Sequence, residues 1–417
     1  MSARRIAVTG TGVVSPAGND LATTMARVVA AKATAAPITL FDATPLPVGF
    51  ACEVGDLDVE GRIGAREARR IDRSGHLALV AAADALADAG LATAVADGLD
   101  AGRVAVVAGS GVGGLTTLEE QVKLHAERGP EKGPRRVSPM LVPMMMANGP
   151  AALVAIAHGF TGPCLCVATA CATGANAIGE ASRILRDGTA DVVVAGATEC
   201  AITPTAMAAF ANMGALSKRA DDPATASRPF DVDRDGFVMG EGAGFLVLED
   251  WDHAVGRGAR IHGELLGYGA TCDAGHITAP SEDGAGAAEC IRRALASAGL
   301  AAGDVRHVNA HGTSTPLNDA AEARAISAVF GAGAVPVTST KGVTGHLIGA
   351  AGAVEAAVAL ASAVDGVVPP VAGTTEVDPA LDVDVVVGSP RSIERGPVVS
   401  TSFAFGGHNA ALVLAPA

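Results

Sequence analysis

Aromatic residues are scarce in this sequence, at 3% against 49% hydrophobic residues overall. A hydrophobic core must therefore be built mainly from Ala, Val, Leu and Ile. Basic residues are also in the minority, with 30 Lys and Arg against 44 Asp and Glu, so the formal net charge is −14. Because phosphate contacts require clusters of Lys and Arg, this balance argues against a nucleic-acid-binding protein.

The seven cysteines are an odd number and are scattered without CxxC pairs. This usage is typical of a reducing compartment and favours neither a disulfide framework nor a zinc site. The first residues lead directly into the strand-like Ile6-Ala-Val-Thr, which leaves no room for the apolar core of a signal peptide. No uninterrupted apolar run reaches the roughly eighteen residues of a membrane span. We therefore expect a cytoplasmic protein that makes no membrane contact.

The order of predicted elements favours a layered α/β fold. At 417 residues the chain can form two domains or one duplicated α/β body. The first half shows predicted strands at 5–14, 103–110 and 190–197, and a predicted helix at 66–89. The second half shows strands at 261–268, 305–310, 335–339 and 398–414, and helices at 284–300, 319–330 and 350–364. Such alternation predicts parallel sheets covered on both faces, and the similar rhythm of the halves indicates a duplication.

Residues 162–188 place Cys171 where a strand gives way to a helix. Apolar residues recur at helical spacing from Ala177 to Leu185, and the glycine at Gly188 suits a helix end. Free N–H groups and the dipole at a helix N-terminus favour a thiolate, so we expect a lowered pKa and a nucleophilic Cys171. The alternative is a small buried residue at a tight junction, because most buried cysteines take no part in chemistry.

Two histidines follow predicted strands in the second half. His311 and His346 both lie in loops rich in Gly and Thr. Ligands of open α/β sheets collect at the carboxyl ends of strands, where Cys171 also lies, so three such positions favour a catalytic site over structural histidines. The segment 109–114 (GSGVGG) has dinucleotide-site spacing, but no acidic residue follows at the required distance, and a close-packed turn is our prediction.

Four segments resemble the successive motifs of β-ketoacyl-[acyl carrier protein] synthases: GPCLCVATACATGANAIG, NAHGTSTPLND, KGVTGHLIGAAGAVEA and SFAFGGHNAALVL. Together with RPFDVDRDGFVMGEGAG they occur in the family's order, and the resemblance covers essentially the whole chain. It is greatest to the type II elongating branch of the thiolase-fold condensing enzymes. The resemblance implies an α/β, thiolase-like fold of two related βαβαβαββ halves in a five-layered α-β-α-β-α arrangement, usually a dimer. We place the halves at residues 1–255, with the cysteine, and 256–417, with both histidines.

The resemblance also implies roles for individual residues. Cys171 is similar to the acylated nucleophile, His311 and His346 to the catalytic histidine pair, and Lys341 to the supporting lysine. Asp319 and Glu322 are similar to carboxylates of the lysine's network, and Glu355 to a structural glutamate. Thr313 and Thr315 are similar to residues that bind pantetheine, and Val112 to a residue that lines the acyl tunnel. Phe405 is similar to the gating phenylalanine, whose backbone N–H joins that of Cys171 in an oxyanion hole. The chain departs from the common pattern at Ala404, where glycine is frequent; at His408 the family has threonine or histidine.

The implied reaction is a decarboxylative Claisen condensation. An acyl chain held on Cys171 is extended by two carbons from malonyl-carrier to give a 3-oxoacyl thioester. Both substrates arrive on the phosphopantetheine of acyl carrier protein, so we expect no separate cofactor and no metal. A basic cluster, Arg66, Arg69 and Arg70, is predicted to dock the acidic carrier protein. The alternative is a solvated helix face.

Other protein classes make different demands on the sequence. A papain-like hydrolase would not need two histidines at strand ends. A thiolase normally has a second cysteine in place of the second histidine, and a non-catalytic chain-length partner lacks the nucleophilic cysteine.

Within the resembled family two pathways stay open. The ATACATG motif leans toward fatty acid elongation by a homodimer, and the alternative is the catalytic ketosynthase of a type II polyketide synthase in a heterodimer with a chain-length factor.

Overall fold

A computed structural model describes residues 4–417. Its strands are β1 Ile6–Val14, β2 Ala36–Pro37, β3 Phe50–Ala51, β4 Val104–Gly109, β5 Cys164–Leu165, β6 Val192–Glu199, β7 Gly242–Asp250, β8 Gly263–Cys272, β9 His307–Asn309, β10 Pro336–Thr338, β11 Val367–Val368, β12 Asp384–Val385, β13 Arg391–Ser392, β14 Val398–Ala404 and β15 His408–Pro416. Its α-helices are α1 Leu21–Val29, α2 Val59–Ile63, α3 Ala65–Ala68, α4 Arg73–Asp88, α5 Leu115–Lys132, α6 Leu141–Met145, α7 Gly149–His158, α8 Thr173–Arg186, α9 Pro204–Asn212, α10 Trp251–Gly256, α11 Ala285–Ala298, α12 Pro316–Phe330, α13 Lys341–Thr344 and α14 Ala351–Asp365.

The main sheet contains the same arrangement of strands twice. Its order is β12-β10-β9-β14-β15-β8-β1-β7-β6-β4-β5. The first half contributes five strands to this sheet and the second half six. When the short edge strand β12 is set aside and the other five of each half are numbered along the chain, both halves read third, second, fourth, fifth, first. The fifth strand, β7 or β15, is antiparallel to its neighbours, whereas the pairs on the far side are parallel. This repeat confirms the duplication that the rhythm of the sequence indicated.

Helices cover the two half-sheets in five layers. Helices α4 and α7 pack on the outer face of the first half-sheet, and α11, with α12 beside it, on the outer face of the second. Helices α8 and α14 occupy equivalent places after the third strand of each half, pack against each other and fill the middle layer. The result is the predicted α-β-α-β-α arrangement, and it brings the segments that precede α8 and α14 together.

Small residues allow the central helices to approach closely. A Cβ on Gly174 of α8 would lie 2.5 Å from the backbone N of Ala353 in α14, so this contact requires a glycine. The stretch Ile348–Asp365 is long and apolar enough to span a membrane, yet 83% of it is buried inside the protein. This stretch, which consists of the turn Ile348–Ala350 and α14, is therefore part of the core.

One predicted helix is interrupted. In place of a continuous helix over 66–89, the chain forms α3, a turn, and then α4 from Arg73. The side chain of Asp72 caps α4 by accepting a hydrogen bond from the backbone N–H of Ser74, and it also accepts from both the N–H and the hydroxyl of Thr117 at the start of α5. Because the contact with α5 holds Asp72 in the extended conformation of an N-cap residue, α4 begins at Arg73 and does not continue from α3.

Candidate active site

A cavity of about 470 Å³ lies where strand ends and loops of both halves meet. Cys171, His311 and His346 line it, and one ligand atom of each lies within 4.8 Å of the others. All three side chains are buried. The structure thus brings together the three positions that the sequence predicted. Sulfur and imidazole nitrogens are also the ligand types that zinc prefers, so the same three atoms could hold a metal ion.

Cys171 lies in a 3-10 turn, Ala170–Ala172, that leads directly into α8. Ala170 has a φ of 49°, a left-handed conformation that is uncommon for a residue with a side chain. Burial raises the pKa of the Cys171 thiol to about 12, although the charge of Lys341 and the N–H groups of Phe405 and Cys171 itself lower it. The expected lowering of this pKa is therefore wrong, because desolvation outweighs the helix terminus.

His346 contacts the sulfur of Cys171, and the ring of His311 contacts the ring of His346. His346 Nε2 lies 3.1 Å from Cys171 Sγ, and the rings of His311 and His346 meet edge to face with centroids 5.2 Å apart. Burial, together with the nearby charge of Lys341, lowers the pKa of both imidazoles well below 6.5. Both rings are therefore neutral near pH 7, and each can donate one hydrogen bond without carrying a charge.

Lys341 is held by a single carboxylate. Its ammonium group pairs with Glu355, and both side chains are buried. Asp319 instead accepts a hydrogen bond from the backbone N–H of Phe230, and Glu322 accepts from those of His311 and Gly312. The structure therefore does not join Asp319 or Glu322 to the lysine as the resemblance implied. Glu322 acts on the histidine loop directly.

The predicted substrate-binding residues all line the same cavity. The hydroxyls of Thr313 and Thr315 lie 2.9 Å apart on the loop that begins α12. Phe405 lies in the tight turn between β14 and β15, where its ring faces that of Phe210 at 6.5 Å. Val112 is half-exposed and lies in the turn after β4. That turn is closely packed, as predicted for the glycine-rich segment 109–114.

The gate-like turn at Phe405 depends on glycine. Gly406 and Gly407 have φ of 85° and 73°, which side chains rarely adopt. Ala404 and His408 are paired partners at the base of this hairpin. Both departures from the common family pattern therefore lie beside the turn, and neither is a member of the Cys171 cluster.

Sequence reasoning missed Glu199. This residue ends β6 and is fully buried next to the cavity wall, where it accepts hydrogen bonds from Ser110 and from the N–H of Gly111. The sequence feature that could have revealed it is an acidic residue just after the predicted strand at 190–197, and residues 192–198 before it carry no charge. Cys171 and the two histidines were identified from the same kind of position, the carboxyl end of a strand.

The basic cluster is exposed. Arg66, Arg69 and Arg70 lie in and just after α3 and form no ion pair within residues 4–417. Arg73, which follows them, instead pairs with the buried Glu241 at 2.5 Å. The cluster is thus free of internal partners, whereas Arg73 belongs to the structural core.

Family models for the β-ketoacyl synthase N-terminal and C-terminal domains match residues 3–254 and 262–375. The chain belongs to the β-ketoacyl synthase family. It is 46% identical over 411 residues to 3-oxoacyl-[acyl-carrier-protein] synthase 2 of Synechocystis sp., covering 98% of this chain and 97% of that protein. The proteins of the same name from Vibrio harveyi and Staphylococcus aureus are 42% and 43% identical, with at least 98% of each chain covered.

Solved ketosynthase structures share the fold. The ishigamide ketosynthase/chain length factor superposes with a TM-score of 0.92 at 34% identity over the full length of both chains. A β-ketoacyl synthase from Burkholderia phymatum gives 0.92 at 33% identity, covering 99% and 100% of the chains. A ketosynthase in complex with a type II polyketide acyl-carrier protein gives 0.90 at 30% identity over both full lengths. The fold is thiolase-like, and the chain is a condensing acyltransferase.

Proposed function

We propose that this chain is a 3-oxoacyl-[acyl carrier protein] synthase that elongates fatty acids, with Cys171 as the acylated nucleophile. The observation that carries the proposal is the buried arrangement of the Cys171 thiol with two neutral imidazoles at the end of one cavity. Identities of 42–46% to proteins named 3-oxoacyl-[acyl-carrier-protein] synthase 2 exceed the 34% to the ishigamide ketosynthase/chain length factor and the 30% to the ketosynthase in complex with a type II polyketide acyl-carrier protein. The polyketide alternative is therefore less favoured.

In the first half-reaction, Cys171 takes the acyl chain from its carrier. As Sγ attacks the thioester carbon, the thiol proton moves to His346 Nε2, 3.1 Å away, and then to the departing carrier sulfur. A base in contact with the nucleophile compensates for the raised pKa of the thiol. The N–H groups of Cys171 and Phe405, which face the sulfur, are positioned to bind the oxyanion of the tetrahedral intermediate.

In the second half-reaction, malonyl-carrier loses CO2 and its C–C bonding electrons form a thioester enolate. His311 stabilises the enolate oxygen by donating a hydrogen bond from Nε2, and His346 does the same once its proton lies on Nε2, the tautomer opposite to the one that accepts the thiol proton. The enolate carbon then attacks the acyl carbon on Cys171, the C–S bond breaks, and the thiolate regains a proton. Neutral histidines perform this step because burial, and after it the charge of Lys341, lowers the pKa of both imidazoles. The proposal requires no metal and no separate cofactor.

The substrates of this reaction require a carrier and a pantetheine arm. Thr313 and Thr315 offer hydroxyls to the amide groups of the arm at the cavity wall, and the exposed Arg66, Arg69 and Arg70 offer positive charge to an acidic carrier protein. No disulfide joins the seven cysteines within residues 4–417, and the odd number without CxxC pairs is typical of the cytoplasm, where we place the reaction.

We infer that the working unit is a dimer of two copies of this chain. β5 ends the main sheet and pairs only with β4, so one of its edges has no partner within residues 4–417. Two exposed apolar side chains lie at or near that edge, Leu165 on β5 itself and Ile156 on α7, which packs against β5. An unpaired edge beside an apolar patch is typical of a protein interface. Because the chain carries the full catalytic set, a second copy satisfies this interface without a different subunit.

The test separates the two half-reactions. Cys171→Ala should abolish acylation and condensation, because no nucleophile remains, while malonyl decarboxylation stays measurable because His311 and His346 are intact. The measurements are intact mass after incubation with acyl-carrier, CO2 release from malonyl-carrier, and 3-oxoacyl product.

A matched control is Cys200→Ala, which removes a buried thiol that does not line the cavity. This variant should keep all three activities. Condensation by Cys171→Ala at the wild-type rate would contradict the proposed function.

A further inference from the structure

Glu199 is a buried carboxyl group without a basic partner. It is 0% exposed and forms no ion pair within the described part of the chain. Its hydrogen-bond partners are neutral donors: the Ser110 hydroxyl at 2.6 Å and the backbone N–H groups of Gly111 at 2.7 Å, Gly349 at 3.1 Å and Val112 at 3.4 Å. Burial raises its pKa to about 7, although these hydrogen bonds lower it. Because a buried carboxyl without a cation is destabilising, its presence beside the cavity calls for a local explanation.

The donors come from two segments that build neighbouring parts of the cavity wall. Ser110 and Val112 belong to the turn after β4 in the first half, and Gly349 belongs to the 3-10 turn Ile348–Ala350 in the second half. Val112 and Ile348 themselves line the cavity beside Cys171. A single carboxyl group therefore joins the two halves of the molecule at this wall.

The contact between these segments is too close for side chains. A Cβ on Gly349 would lie 2.6 Å from the N of Gly111 and 2.8 Å from Glu199 Oε2. Ile348 has a φ of 45°, a strained conformation for a β-branched residue. Such strain persists only where the surroundings hold the backbone in place, and the hydrogen bond from Gly349 to Glu199 fixes the peptide that follows Ile348.

The second half contains a parallel case. Glu322 accepts hydrogen bonds from the backbone N–H groups of His311 and Gly312 at 2.8 and 2.7 Å. That turn follows β9, the strand equivalent to β4. A buried glutamate thus holds the turn after the second strand in each half. In one half the turn carries His311, and in the other it carries Val112.

We propose that Glu199 is a positioning residue that shapes the acyl-binding end of the cavity by holding Val112 and Ile348 in place relative to Cys171. This inference rests on the proposed function and deepens it, since it names a determinant of acyl-chain selection. Glu199 does not touch the reacting atoms, and it acts through the two wall residues.

The test uses Glu199→Gln, which keeps the size of the side chain. Gly111 and Gly349 share one carboxylate oxygen, and Ser110 and Val112 share the other, so an amide must turn its NH2 group toward one pair of donors. On this proposal, long acyl chains contact the wall formed by Val112 and Ile348 more extensively than short ones do. Acylation of Cys171 by long chains should therefore fall about ten- to hundredfold relative to short chains, the scale expected for displaced binding groups. Malonyl decarboxylation should stay within about twofold of the wild-type rate.

The matched control is Glu249→Gln. Glu249 is equally buried, lies on β7, pairs with Arg257 and does not line the cavity. It should lower the melting temperature without changing the ratio of long- to short-chain acylation. Intact mass is measured with carriers of increasing acyl length, alongside decarboxylation and thermal unfolding.

Two results would overturn the inference while leaving the proposed function intact. One is an unchanged chain-length ratio in Glu199→Gln; the other is a parallel loss of acylation at all lengths and of decarboxylation, with a lowered melting temperature, as a purely structural residue would give. Failure of the wild-type protein to form an acyl-Cys171 adduct would instead overturn the proposed function, and this inference with it.

Discussion

At Cys171 two groups of effects act in opposite directions on one thiol. Its position before α8 provides N–H groups that stabilise a thiolate, but complete enclosure raises the pKa of the thiol to about 12. A sequence pattern reveals the helix terminus and not the degree of enclosure, which depends on residues from both halves of the chain. The local conformation was therefore predictable, whereas the sign of the pKa shift was not.

His307 is a buried histidine that the proposed chemistry does not use. It lies on β9, neither ring nitrogen has a hydrogen-bond partner within residues 4–417, and burial lowers its pKa from 6.5 to about 3. Below about pH 6.5 the unfolded chain binds a proton at this ring that the folded protein does not bind. The contribution of His307 to the free energy of unfolding must therefore fall as the pH drops from 6.5 toward 3.

We predict that His307→Leu weakens this pH dependence. The leucine has no ionisable group, so the loss of stability between pH 7 and pH 5 should be smaller by about 2 kcal/mol than in the wild-type protein. Denaturant unfolding at each pH measures the difference. Other buried groups, such as Glu322 with its pKa raised to about 7, contribute equally to both proteins and cancel. Identical pH profiles would show that the His307 ring is solvated or paired in solution.

At the scale of elements, the strongly periodic segments were predicted well. The predicted helix at 350–364 is α14 at Ala351–Asp365, and the helix after Cys171 ends at Arg186, before a glycine with φ of 80°. The predicted helix at 66–89 failed because Asp72 is fixed by Thr117, 45 positions away. Periodicity reports a local preference, and it cannot reveal a cap that depends on a tertiary contact.

The interruption bears on the carrier-docking prediction. Since α3 ends before α4 begins, Arg66, Arg69 and Arg70 lie on a short segment of their own, and all three are exposed. Replacing all three with Glu should raise the KM for carrier-bound substrate about tenfold, because reversing charge at an interface rim chiefly slows association. A short pantetheine-thioester substrate should react at the wild-type rate.

A control for this charge reversal is available in Arg292 and Arg293 on α11, of which Arg293 pairs with Glu289. Their replacement by Glu should leave the KM for the carrier-bound substrate unchanged. Equal losses with carrier-bound and short substrates in the triple variant would assign Arg66, Arg69 and Arg70 a structural role.

For the whole molecule, duplication explains which parts of the site were predictable. Cys171 and His346 precede equivalent helices, and each follows the third strand of its half, so a repeated rhythm and strand-end positions sufficed to group them. Glu199 binds Gly349 across 150 positions in the sequence, and no local pattern marks that pair. The division at residue 255 stays a prediction.

The proposed dimer provides a prediction for the assembly. Leu165 on β5 and Ile156 on α7 are 49% and 78% exposed around the open edge of the sheet. If a second copy covers this edge, the double substitution Leu165→Lys with Ile156→Lys places charges where apolar surface is buried, and the mass measured by analytical ultracentrifugation should fall from two chains to one. Because both side chains are exposed in the single chain, its own stability should change by only about 0.5 kcal/mol.

Val255→Lys is the control, since Val255 on α10 is 57% exposed at a distant site, and this variant should keep the mass of two chains. A wild-type protein that sediments as one chain, or a double variant that still sediments as two, would exclude β5 as the interface.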